Sequence, residues 1–332
     1  MAVGDGLQYA GEYKLEKCEL ISSTGVRARL DARVSEINIF ESIFSQFMIV
    51  SIVITDLENL IMNMPIIGQE YIRLKVSTPT LDSIDYTDNV LCVTKVTSRQ
   101  DLSKGAQVYE LTCISPESLR NNRTKIKNSY DGKISDIVVK VLKDERLINT
   151  NKNIFVDETL GNKKFVVPNM RPFDFINSLS KQTQSTKFGG SPNYFFFENT
   201  RGFHFRVLDS LYDEDFRGKF IANESDAQID TPSAKGNFEK DFQRIKSFAI
   251  GQSNDTLLSS RGGMLSSRLI KYNIFEKNFS THTFNYFDNF KDYGRIDKNP
   301  IYNKVVIDKQ DNNIGDFNLA RTQLQPTSNS DG

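Results

Sequence analysis

Polar and apolar residues alternate without a break from residue 26 to residue 34. Val26, Ala28, Leu30, Ala32 and Val34 fall on one side, and Arg27, Arg29, Asp31 and Arg33 on the other. Successive side chains of a strand point to opposite faces, so this pattern predicts a half-buried antiparallel strand. A short linker over residues 39–45 leads to residues 47–54, which are β-branched and apolar on both faces. They predict a strand covered on both sides. Residues 71–78, 90–97 and 107–114 predict three more strands. Turn chemistry separates them: Pro65 with Gly68, residues 79–88, and Ser103-Lys104-Gly105. Several short strands in one stretch predict a closed or nearly closed barrel, which removes exposed edges.

The period changes at Ser115-Pro116. Proline suits a first helical turn, and Ser115 is placed to cap it. Further on, Ile134, Ile137, Val138, Val141 and Leu142 follow the i, i+3, i+4, i+7, i+8 spacing of an amphipathic helix. A second such helix starts at Pro172, with Phe173, Ile176 and Leu179 inward. Residues 154–157 and 165–167 read as strands. Residues 194–198 and 202–208 read as a hairpin turning at Asn199-Thr200-Arg201-Gly202. Residues 209–238 are polar and loop-like. Strand character returns at 245–250, 267–275, 280–286 and 303–308, and the end of the chain is polar. The expected organisation is a first β-barrel domain (1–115), an α+β middle domain (116–210), a polar connection (211–241), a second β domain (242–321) and a flexible tail (322–332). The fold class is mainly β, with two antiparallel barrel-like tube domains around an α+β module.

Composition narrows the function. A chain of 332 residues with 38% hydrophobic residues, 24 Phe and 12 Tyr can bury more than one core. Lys+Arg and Asp+Glu both total 42, so net charge is zero. That argues against nucleic-acid affinity as the main task, while leaving room for a local basic face. Cys18, Cys92 and Cys113 each sit in an apolar, strand-like setting and read as buried thiols. Residues 1–15 lack a basic-then-apolar leader pattern, and the longest apolar run, 47–54, is too short to span a membrane.

Candidate chemistry is sparse. His204 and His282 have no Cys or His neighbour at ligand spacing, so both read as strand residues. There is no Gly-x-Ser-x-Gly elbow and no phosphate loop; Arg261-Gly262-Gly263-Met264 reads as a turn. Asp311, Asn313 and Gly315 give part of a calcium loop without its closing Glu. Glu198 and Asp209 could pair as glycosidase carboxylates, but the chain has no Trp for a sugar platform. No catalytic, metal or cofactor site is predicted. The candidate interface is the face of Arg27, Arg29, Asp31 and Arg33, either solvated, lining a lumen, or paired with acidic groups of a neighbouring subunit. Of these, a subunit contact is favoured.

Three stretches carry a family resemblance. They are residues 109–119 (YELTCISPESL), residues 129–138 (SYDGKISDIV), and residues 171–179 (RPFDFINSL) followed by SPNYFFFE at 191–198 and GFHF at 202–205. In this order the chain resembles the central baseplate hub subunit of contractile-tailed phages and the hub part of type VI secretion spike proteins. The resemblance implies a non-enzymatic homotrimer whose duplicated barrels make a pseudo-sixfold ring. The ring would join the tail tube protein above to the trimeric spike or tail lysozyme protein below, with wedge or tape-measure proteins as further neighbours. It would surround the channel for DNA, with no stable nucleic-acid binding and no membrane insertion, in a virion assembled in the host cytoplasm. Phe287, Phe290 and Tyr293 are candidates for apolar interface surface. Two other classes stay open: a cell-wall hydrolase at the spike, and a receptor- or glycan-binding module.

Overall fold

The computed structural model describes residues 13–58, 60, 64, 66–77, 83–103, 106–216, 218–222, 244–245, 247–249, 251, 255–274, 276–292 and 321–326. The chain forms two compact units, Met1–Lys246 and Ser247–Gly332.

The first unit opens with seven strands: β1 (Lys14–Ile21), β2 (Arg27–Arg29), β3 (Val34–Phe40), β4 (Ile49–Asp56), β5 (Tyr71–Ser77), β6 (Ile84–Ser103) and β7 (Ala106–Ile114). They pair antiparallel in the order β2-β1-β5-β6-β7-β4-β3. The two outer strands are consecutive in the chain. Leu30 N–H donates to Cys18 of β1, and Thr55 N–H of β4 donates to Arg33. One bent segment therefore serves both edges, and the sheet curls back on itself.

That bend corrects the first expectation. Residues 26–34 are not one strand: a turn at residues 31–33 splits them. Arg33 and Val34 N–H both donate to Leu30 O, and the Asp31 carboxylate turns back to accept the Cys18 N–H. Ala28 and Leu30 still face inward, whereas Val26 and Ala32 are exposed. The predicted linker shortens too, since β3 runs through Phe40, and residues 90–97 lie inside the much longer β6, which bulges at three places.

The curled sheet is filled. Cys18, Leu20, Leu30, Met48, Val50, Ile52, Ile54, Ile72, Leu74, Val93, Tyr109, Leu111 and Cys113 form one continuous core. All three cysteines are free and buried. Burial pushes the Cys18 thiol up to about 12 and the Cys92 thiol up to about 11, so neither ionises near neutrality.

The α+β module follows: α1 (Pro116–Arg123), β8 (Ser129–Gly132), α2 (Ile134–Lys143), β9 (Asn153–Val156), β10 (Lys163–Val166), α3 (Pro172–Ser180), β11 (Tyr194–Asn199), β12 (Gly202–Val207) and α4 (Leu208–Tyr212). The sheet order is β11-β12-β9, with β12 and β9 parallel, and β10 pairs β8. The helix spacing read from sequence holds. Ile134, Ile137, Val138, Val141 and Leu142 of α2 meet Phe173, Ile176 and Leu179 of α3 in a core completed by Phe196, Phe203 and Phe205. The short parallel pair β13 (Ile221–Ala222) and β14 (Arg244–Ile245) closes the described part of this unit. Of the strand expected over 245–250, only Ile245 is in strand among the described residues.

The second unit contains α5 (Thr256–Arg261), β15 (Ser266–Asn273), β16 (Asn278–Asn285), α6 (Tyr286–Asn289) and β17 (Arg321–Pro326), with sheet order β16-β15-β17. Strand β17 begins at Arg321, the last residue of the expected second β domain, and runs five residues into the stretch the sequence predicts as the flexible tail. Six of its residues pair parallel with β15, so backbone hydrogen bonding orders a segment whose side chains are all exposed. Phe287 and Phe290 pack edge-on against Tyr286 or beside it. Tyr293 and the strand expected over 303–308 lie outside the described residues.

The hairpin joining β11 to β12 depends on Gly202. Its φ is +140°, and a Cβ there would stand 2.2 Å from the Asn153 carbonyl oxygen of β9. Gly161 also has positive φ, +73°, but open space around it. Gly202→Ala is expected to cost above about 2 kcal/mol, from backbone strain plus the clash, and Gly161→Ala about 1 kcal/mol from strain alone. Urea unfolding of the two variants checks this; equal costs would refute it.

Candidate functional site

A buried, mutually bonded polar group lies where the curled sheet meets the α+β module. Glu117 comes from the first turn of α1, Glu198 from the end of β11, and Lys152 from the residue before β9. Their side chains are 8%, 1% and 7% exposed. Lys152 Nζ sits 2.6 Å from Glu198 Oε1 and 2.9 Å from Glu117 Oε2. Thr150 Oγ1 donates to Glu117 Oε1 at 2.7 Å. Ser115 Oγ donates to Glu198 Oε2 at 2.7 Å, and Met48 N–H donates to the same oxygen at 3.1 Å.

Each carboxylate oxygen of the pair is thus occupied, and Glu198 reaches both sides of the seam. Met48 directly precedes β4 and Ser115 directly follows β7, whereas Lys152 belongs to the module. Ser115 stands at the N-cap of α1 as expected, but its hydroxyl makes no cap bond and goes to Glu198 instead. Two further contacts extend the seam: Thr200 N–H donates to Glu41, and the Phe44 and Phe195 rings meet edge-to-face at 5.6 Å.

Electrostatics follow from the count of charges. Burial lowers the tendency of Lys152 to stay charged, but Glu198 and then Glu117 outweigh it and hold the ammonium above its ordinary range. Burial pushes the Glu198 carboxyl up, against the pull of Lys152 and the Ser115 hydrogen bond. One cation shared by two carboxylates, each of whose oxygens already accepts a hydrogen bond, ties α1, β11 and the start of β9 together.

The residues singled out from sequence are dispersed around the sheet. Arg27 pairs with Glu19, Arg29 with Asp31 at 3.0 Å, and Arg33 with Glu58. Arg29 and Asp31 meet; Arg33 is carried past the bend. Glu198 is committed to the seam and not to a carboxylate pair with Asp209, which lies on α4. His204 is stacked between Phe155 and Phe197, at 4.6 and 4.7 Å, with Nε2 2.9 Å from Asn199 Oδ1. His282 lies opposite Leu269 in the β15–β16 pair. Sequence reading missed Lys152 and Glu117. The available signal was Glu198 itself, a carboxylate ending the apolar run Phe195-Phe196-Phe197, which requires a buried partner.

No protein-family model matches the sequence, and no curated protein matches it. Among solved structures the chain is similar to the tail protein from Neisseria meningitidis MC58, with a TM-score of 0.46 and 10% identity over 83% of this chain and 68% of that one. It is also similar to an E. coli component of the type VI secretion system described as structurally similar to T4 bacteriophage tail proteins gp27 and gp5. There the TM-score is 0.31 and the identity 11%, over 58% of this chain and 48% of that one. A third is a Francisella PdpA-VgrG complex, half-lidded, with a TM-score of 0.30 and 13% identity over 60% of this chain and 33% of that one. The chain therefore spans less than half the length of the chains it matches in the second and third of these structures.

Lys152→Met strands two buried carboxylates, so it is expected to cost about 3–5 kcal/mol at neutral pH. The loss should shrink with acid. A carboxyl whose folded-state value is raised favours folding below its unfolded value, and that contribution disappears as pH rises through the folded one. Denaturant unfolding of the variant and the parent at neutral and mildly acid pH reads the difference. A deficit independent of pH would show that Glu198 is not the group left stranded.

Proposed function

We propose that this chain is a structural baseplate hub subunit: three copies form a pseudo-sixfold ring that joins a phage tail tube to the central spike and surrounds the path of the DNA. The observation that carries the reading is the filled, curled sheet welded to an α+β module through a buried charge cluster. A barrel packed with Leu, Ile and Val has no bore, so any passage must be enclosed between copies. The role is then mechanical and not enzymatic. The module and barrel move as one block, and axial force passes across the seam.

Support also comes from the order of the three hub-like stretches, which fall at the end of β7, at the start of α2, and across α3 with the β11–β12 hairpin. Exposed apolar side chains supply surface for subunit contacts: Phe44 is 79% exposed and Val166 85%, with Phe40, Leu57 and Ile67 also outward. Obligate contacts of this kind bury on the order of 2,000 Å² or more. In this reading the tail tube protein and the spike are the partners above and below. Arg27, Arg29, Asp31 and Arg33 belong to the rim of the ring, contributing little singly because each already has a partner within its own chain or is solvated.

Light scattering on the purified chain is expected to give about three times 37.8 kDa, and negative-stain images a ring with a central hole. A monomer at every accessible concentration would favour the binding-module reading. Clearing of peptidoglycan by the isolated chain would favour a hydrolase.

A further inference from the structure

The pairing of β15 with β16 and β17 fixes which side chains of the second unit share a face, because residues opposite each other across a ladder project to the same side. Tyr272 stands between Phe279 and Pro326, and Ile270 between Thr281 and Leu324. Arg268, flanked by Thr283 and Thr322, ends that face. The other face carries Lys271 between Ser280 and Gln325, and Leu269 between His282 and Gln323. The register makes one face apolar across all three strands and leaves the other mostly polar.

The apolar face is open to solvent. Phe279 is 76% exposed and Leu324 68%, with Tyr272 and the turn residue Ile274 also outward. Val166 of the α+β module is the contrasting case, an exposed apolar side chain that stands singly. It lies opposite Ser129, and the next pair on its face is Lys164 with Asp131. Among the described residues of the second unit, Leu265 is the one buried hydrophobic. A small sheet is stable on its own when its hydrophobic face is packed against something, so this face needs a cover.

We infer that a second copy of this chain covers the face of Ile270, Tyr272, Phe279 and Leu324. The inference rests on the ring reading and names the surface through which copies meet. Area argues for it. With aromatic side chains burying about 150–250 Å² each, the exposed parts of Phe279, Tyr272, Leu324 and Ile274 come to on the order of 400 Å². A standard contact takes about 800 Å² from each partner, a little over half of it apolar, so the patch supplies the apolar share of one contact. Charge agrees. Arg268 is the one charged residue on this face and stands at its end, so an apolar surface closes over the patch without trapping a lone charge. A nucleic acid would need a row of cations there. A cover on which the sheet depends must be present whenever the chain is folded, and copies of the chain always are.

Light scattering on the full chain over a range of concentrations tests it, with circular dichroism to check folding. Phe279→Asp/Leu324→Asp is expected to give folded monomers where the parent chain is oligomeric, with a dissociation constant raised at least about 30-fold. Ser280→Asp, on the polar face of the same strand, is expected to leave the mass unchanged. If the double variant does not fold, Phe279→Ser is read alone, and about a tenfold rise in the dissociation constant is expected. A parent trimer that keeps its mass in these variants overturns the inference and leaves the ring reading standing, as does equal dissociation by Ser280→Asp. A parent dimer that the double variant dissolves supports the inference and overturns the ring. A parent chain that is monomeric at every concentration overturns both.

Discussion

Glu198 sits where two separately packed cores meet and must agree on a relative position. Its Oε2 takes Met48 N–H and Ser115 Oγ from the curled sheet, and its Oε1 takes Lys152 from the module. A buried ion pair is a poor source of net stability, because desolvation of both charges offsets most of their attraction. What it supplies is a fixed geometry. An apolar seam can slide by a methyl group at little cost, whereas moving this seam leaves a carboxylate buried without a donor. The rest of the joint, including the Phe44–Phe195 contact and the Glu41 bond to the hairpin turn, is positioned by that constraint.

The same logic of backbone satisfaction shapes the sheet. An open seven-stranded sheet would leave two edges of unpaired N–H and C=O groups. Here the turn at residues 31–33 joins β2 to β3, so the chain passes from one edge of the curled sheet to the other, and among the described residues those two strands do not pair with each other. The turn is held by Asp31, the one acidic residue within the alternating stretch, whose carboxylate caps the Cys18 N–H. A residue that looks like part of a charged outer face is therefore a backbone bond made by a side chain.

How much of this was legible depends on the range of the interactions involved. The helices α2 and α3 were readable because their cores are encoded at i, i+3 and i+4 spacing in Ile134, Ile137, Val138 and Phe173, Ile176, Leu179. The β11–β12 hairpin was readable from its Gly202 turn. The alternation at 26–34 was real at Ala28 and Leu30, but alternation says nothing about where a strand changes partners, so the bend was invisible. Strand β17 escaped notice because its order comes from backbone pairing with β15, some 54 residues away in sequence at Arg268 and Thr322, while its side chains remain in solvent. Lys152 was hidden for the opposite reason. It is one lysine in a polar loop, and only the meeting of α1, β9 and β11 in space gives it two carboxylates.

Charge placement then separates two kinds of surface on a chain with no net charge. Where Glu16, Glu19 and Asp85 lie among Lys17, Arg27, Arg73 and Lys75, opposite signs interleave across β1, β2, β5 and β6 and largely cancel at a distance. On the α+β module, by contrast, Arg123, Lys125, Lys127, Lys140, Lys143 and Lys181 are exposed and in no ion pair with a described residue. Neutrality of the whole chain is thus a sum and not a description of any one face. The buried cluster obeys the converse rule: shielded from ions by the two cores, its geometry is insensitive to the salt that governs the surface.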